Sequence, residues 1–114
     1  MFRESLPPRM NWALHGAQYL VMTMKGVEFA EEWYNAGHIP PQIARLYLLL
    51  LKLIWMKGVM AVSHIQRLGY SSRTVNKAIS EGYVEIMEKP IEPLEDVRKR
   101  IENMMGEAPG EIYA

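Results

Sequence analysis

The sequence predicts one mainly α-helical domain with a small antiparallel β element, its helices packed around a buried central helix at about 41–57. Three observations carry that prediction. The chain has 114 residues, enough to bury one core but not two. It is 49% hydrophobic and 23% charged, a balance of folded rather than disordered chains. Most of its apolar residues recur at helical spacing, in runs opened by proline or closed by glycine.

Residues 1–9, with Pro7-Pro8 and little to pack, read as a flexible arm. From Asn11 to Lys25 two patterns coexist. Tyr19, Val21 and Thr23 alternate with Leu20, Met22 and Met24, and His15-Gly16 suits a turn, which describes a hairpin. Ala13, Ala17, Leu20, Met24 and Val27 also fit a helix. The hairpin is the preferred reading. A helix follows over Val27 to Ala36, with Glu28, Glu31 and Glu32 suited to its positive end and Gly37 as its stop. Pro40-Pro41 open the most apolar segment, Gln42 to Lys57. Arg45, Lys52 and Lys57 interrupt it, so it is read as a buried helix and not a membrane span. Its polar side, that of Arg45 and Lys52, carries Leu48, Leu49 and Met56, which then need a cover.

Ala61, Ile65 and Leu68 predict a short helix that Gly69 ends. Ser71 or Ser72 can cap a second helix, over about 72–81, by accepting a bond from a first-turn amide. Val75, Ala78 and Ile79 form its inner side, leaving Arg73, Asn76, Lys77 and Ser80 outside. Two helices joined by a tight glycine turn make a helix-turn-helix. Its second helix would present cations for phosphate and guanine and an amide for adenine. Arg67, Ser71, Ser72, Arg73, Thr74, Asn76, Lys77 and Ser80 are therefore the candidate DNA-binding residues.

Gly82 then stops the helix and Tyr83 to Lys89 reads as a strand, although Val75, Ile79, Tyr83 and Ile86 also suit one continued helix. Pro90 and Pro93 deny that strand a long return partner from the following chain. The run Tyr19 to Met24 is the expected partner of Val84 to Met87. Pro93 opens a last helix to about 105, with an apolar stripe of Leu94, Val97, Ile101, Met104 and Met105, and 107–114 reads as a flexible tail.

Leu68-Gly69-Tyr70-Ser71, Thr74-Val75 with Lys77 and Ile79, and Gly82-Tyr83-Val84 together resemble the winged helix-turn-helix transcriptional regulators. The resemblance covers roughly Arg45 to Lys89, and its core is Gly-x-Ser-x-x-Thr-Val-x-Lys. It implies a DNA-binding regulator that is a two-fold homodimer, with the second helix in the major groove. The chain departs from the family in two ways. Its second helix is about a turn short, and the run Tyr19 to Gly26, which looks like the returning strand of a wing, precedes the helices instead of following them.

Charge distribution favours the same surface. Net charge is zero, which by itself argues against nucleic-acid binding. Yet no acidic residue lies between Glu32 and Glu81, while Arg45, Lys52, Lys57, Arg67, Arg73 and Lys77 do. Arg98-Lys99-Arg100 sits among Glu95, Asp96 and Glu102 and reads as a solvated face.

Little in the sequence points to catalysis. There is no cysteine, hence no disulfide or thiolate metal site. No phosphate-binding glycine loop, His-Glu-x-x-His or Gly-x-Ser-x-Gly occurs, and His15, His38 and His64 are scattered. No enzyme, cofactor or metal is expected. The first residues lack the apolar core of a signal peptide, so a cytoplasmic protein is expected. The expected partners are double-stranded DNA and a second copy, the latter through Leu94, Val97, Ile101, Met104, Met105, Leu48 and Leu49. The alternative is an assembly subunit that keeps the fold without touching DNA.

Overall fold

A computed structural model describes residues 18–106, of which the helices are the major part. The order is β1 (Tyr19–Met22), α1 (Met24–Ala36), a 3-10 turn (Pro41–Ile43), α2 (Ala44–Trp55), β2 (Val59–Ala61), α3 (Val62–Arg67), α4 (Ser72–Ser80), β3 (Val84–Met87) and α5 (Glu95–Gly106). The domain is mainly helical with a small antiparallel β element, as expected, and that element is a sheet of three strands. The predicted arm at 1–9, the first half of the predicted hairpin and the tail at 107–114 lie outside the described residues.

The sheet order is β2-β1-β3, so the first strand is the central one. Leu20 faces Met60 on one side and Ile86 on the other, and Met22 faces Val84. The expected pairing of Val84 to Met87 with the Tyr19 segment is therefore present, over four residues. Leu20, Met22, Met60 and Val84 are buried on the sheet face that meets the helices. That pairing ties the start of the described chain to the segment that follows α4.

The expected strand to Met24 stops two residues sooner, and α1 starts three residues before Val27. The cause is Thr23. Its hydroxyl accepts a bond from the Gly26 amide at 3.2 Å, which caps the helix. Gly37 ends α1 in the left-handed conformation, with φ of 75°.

The central helix is shorter than 41–57. Its first three residues form the 3-10 turn after Pro40, and Lys57 and Gly58, both at positive φ, turn the chain away after Trp55. Leu46, Leu49, Leu50 and Leu53 are buried on it. Leu49 thus belongs to the core, contrary to its expected place on the outer face. Leu48 remains 47% exposed, and Trp55, two turns further along the same side of the helix, is 63% exposed. In a helix this apolar all round, periodicity does not tell one side from the other.

Strand β2 was not foreseen. Val59, Met60 and Ala61 pair with Val21, Leu20 and Tyr19, and Ala61 then serves as the cap residue of α3. The expected helix from Ala61 consequently begins at Val62.

The stripe on α5 also changes meaning. Val97 and Ile101 are each 2% exposed, and Met104 and Met105 pack against the same core. The helix lies on α1 and α2 of its own chain. Val97, Ile101, Met104 and Met105 are therefore internal packing, and of the expected dimer contacts only Leu94 and Leu48 stay exposed.

Candidate nucleic-acid interface

The helix-turn-helix begins with burial. Val62 and Ile65 anchor α3 in the core, and Val75 and Ala78 anchor α4. Between them the chain reverses at Gly69, whose φ of 92° is a conformation that other residues reach only with strain. The Gly69 amide bonds the Gln66 carbonyl and the Tyr70 amide reaches the Ile65 carbonyl, which uses up orphan groups at the end of α3. Ser71 then caps α4: its Oγ accepts from the Thr74 amide at 3.2 Å and lies 3.2 Å from the Thr74 hydroxyl. Of the two serines offered by the sequence, Ser71 is the cap and Ser72 is the first helical residue.

With that inner side fixed, Ser72, Arg73, Lys77 and Ser80 are exposed along α4, and Arg67 is exposed at the end of α3. Thr74 is half-buried. Ser80 donates its hydroxyl to the Lys77 carbonyl at 3.1 Å. Lys77 forms an exposed ion pair with Glu81 at 3.6 Å. No ion pair involves Arg45, Arg67 or Arg73 among the described residues.

Asn76 departs from the expected pattern. It is only partly exposed, and its Oδ1 is buried without a hydrogen-bond partner. An amide turned inward does not present both of its groups to a base edge, so Asn76 leaves the outward set. The remaining polar face is narrower, led by Arg73 and Lys77.

Two residues near this surface were missed as contributors. Arg45, on α2, donates from Nη2 to the Gly69 carbonyl at 3.1 Å and lies 5.2 Å from the centre of the Tyr70 ring. It locks the turn to the central helix and leaves its cation at the turn between α3 and α4. Only its membership of the acid-free window signalled it. Thr23 is the second. Its hydroxyl donates to the Gly82 carbonyl at 2.6 Å while capping α1, and its amide donates to the Tyr83 carbonyl at 3.1 Å. One threonine so joins the entry of α1 to the exit of α4.

That junction is tight. A Cβ on Gly26 would run into the Tyr83 carbonyl oxygen. The Tyr83 ring stacks on Phe29 with centroids 4.5 Å apart. Burial, with Glu81 and Glu32 nearby, raises the Tyr83 hydroxyl above its ordinary pKa. The exit of α4 is thus tightly packed and carries Glu81, whereas the exposed Arg67 and Arg73 lie towards the turn at its other end.

Among the described residues no three histidines or carboxylates are grouped to hold a metal ion. No described helix is long and apolar enough to cross a membrane. Searches against protein-family models, curated proteins and solved structures found no match to this chain.

Proposed function

We propose that this chain is a sequence-specific double-stranded DNA-binding protein, a transcriptional regulator of winged-helix type, that places α4 in the major groove. The observation that carries the reading is the capped, outward face of α4. Ser72, Arg73 and Lys77 stand on it, Arg67 and Arg45 flank it, and no acidic residue occurs from Trp33 to Ser80. Cations placed in this way neutralise phosphates on both sides of a groove, and Arg73 at the helix start is the candidate for guanine. The winged-helix element of the reading rests on β1, which fills the central place in the sheet that a returning strand would take. Dimerisation belongs to the same proposal, through the exposed Leu48 and Trp55 ridge of α2.

A titration of binding to mixed-sequence duplex against salt tests it. Binding at low salt that weakens linearly in log–log form supports the reading. Absence of binding at low salt removes it and leaves the assembly subunit, which the zero net charge favours.

A further inference from the structure

Among the described residues, one edge of strand β3 is unpaired. Its inner neighbour is β1, no described strand lies on its other side, and Pro90 prevents the chain from folding back along it. The direction of its backbone groups follows from one bond. The Thr23 amide donates to the Tyr83 carbonyl, so in the alternating ladder Glu85 and Met87 also turn their backbone groups to β1. Val84 and Ile86 accordingly point their N–H and C=O outward. Alongside them runs an open trough of about 530 Å³, lined by Ile79, Gly82, Val84, Glu85, Ile86 and Met87.

We infer that this edge binds an extended peptide segment of a partner protein, with a Lys or Arg flanked by apolar residues, as an added fourth strand. The alternation of side chains dictates the pattern. Val84 and Ile86 lie on the helix-facing side of the sheet with Leu20 and Met22, so residues opposite them enter the trough beside Ile79 and must be apolar. Glu85 lies on the other face, is exposed, and has no ion pair among the described residues. A cation directly opposite it is favourable, and a second carboxylate is not.

The same carboxylate disfavours a second copy of this chain as the occupant. Two β3 edges related by a two-fold axis satisfy all their outward groups only when Val84 of each copy faces Ile86 of the other. That register sets Glu85 directly opposite Glu85, a like-charge pair at the centre of the interface. Glu85 thus acts against self-pairing and selects a basic strand. The inference uses only the inward Ile79 of α4, none of the outward polar face of that helix and no DNA, so it stands or falls separately from the function proposed above.

The test is fluorescence anisotropy of the full chain with labelled synthetic peptides of core Thr-Val-Lys-Val-Thr and Thr-Val-Glu-Val-Thr. The lysine peptide is expected to bind saturably and about fivefold more tightly than the glutamate peptide. Glu85→Lys, at an exposed position, is expected to reverse that order while leaving the circular dichroism spectrum unchanged. Methylation of the two valine amides in the lysine peptide is expected to abolish binding, because those groups would bond β3. A lysine peptide that fails to bind, a preference unmoved by Glu85→Lys, or unimpaired binding of the methylated peptide would each overturn the inference. Sedimentation supplies an independent arm: Glu85→Val should self-associate more strongly than the unsubstituted chain, and an unchanged state would remove the guarding role of Glu85.

Discussion

Helices α4 and α5 are both short, amphipathic and rich in cations, yet their cations have different surroundings. On α5, Arg98 reaches Glu92 at 3.7 Å, Lys99 reaches Glu95 at 3.7 Å, and Arg100 pairs with Glu31 of α1. Each positive group there has a carboxylate beside it, and the run Arg98-Lys99-Arg100 produces little outward field. On α4 and its turn, only Lys77 has such a neighbour, while Arg67 and Arg73 have none among the described residues. Three consecutive cations can thus amount to less than two separated ones. The difference lies in which elements the fold sets alongside, and a charge count along the chain does not contain it.

The largest expected effect separates the two helices by packing. Ile101 is 2% exposed against the core, so Ile101→Ala should cost about 2–5 kcal/mol. Arg73→Ala, at an exposed position on α4, should stay within about 0.5 kcal/mol. Urea unfolding of both variants reads the contrast directly. Equal midpoints would mean that α5 is not part of the folded core.

The second effect separates them by binding. With a selected duplex, Arg73→Ala should weaken affinity by about 1–3 kcal/mol, and Arg67→Ala should flatten the salt dependence by about one unit of slope. Arg98→Ala and Lys99→Ala, whose charges are already balanced, should change neither. If the α5 variants lost binding and the α4 variants kept it, the contrast between the two helices would be inverted.

The sequence made some of these features legible and hid others, for physical reasons. Gly37 and the α4 cap act through local chemistry, a residue free to take positive φ and a hydroxyl beside an orphan amide, so position indicated Gly37 and narrowed the cap to Ser71 or Ser72. The β1–β3 pairing was legible by exclusion, since Pro90 and Pro93 left the run Tyr19 to Met24 as the available strand. Strand β2 is three residues long and passes straight into α3, too short for alternation to register. The stripe of Val97 and Ile101 announced that α5 needs a cover, but a stripe does not say whether the cover is its own chain or another. Asn76 failed for a related reason. It is a boundary residue of α4, half-buried with its Oδ1 turned inward, and helical spacing alone does not tell which side of the boundary it takes.

A smaller effect concerns what holds α5 on α1. The Arg100–Glu31 pair is about a third exposed at each partner, and Arg100 also lies 3.8 Å from the Met24 sulfur. Partial exposure limits its worth, so Arg100→Gln should destabilise by about 1 kcal/mol. The loss should shrink as salt is raised, because screening already weakens the pair in the unsubstituted chain. A loss independent of salt would assign the effect to packing of the arginine stem.

The smallest effect uses Lys57, which shares the acid-free window with Arg73 but sits at the other end of α2. It lines an open cleft with Glu92, Arg98 and Glu102, so its surroundings are those of α5. Its φ of 66° makes it the one non-glycine residue at positive φ among the described residues. The left-handed conformation costs a side chain roughly 1–2 kcal/mol, and glycine avoids that cost while giving back part of it as unfolded-chain entropy. Lys57→Gly should therefore stabilise the domain by about 0.5 kcal/mol, a small upward shift in urea midpoint. It should also leave duplex binding and its salt slope unchanged, although it deletes a cation from the very window that suggested DNA. If binding fell with Lys57→Gly as it does with Arg73→Ala, position around α4 would not matter, and the basic window would be acting through its total charge.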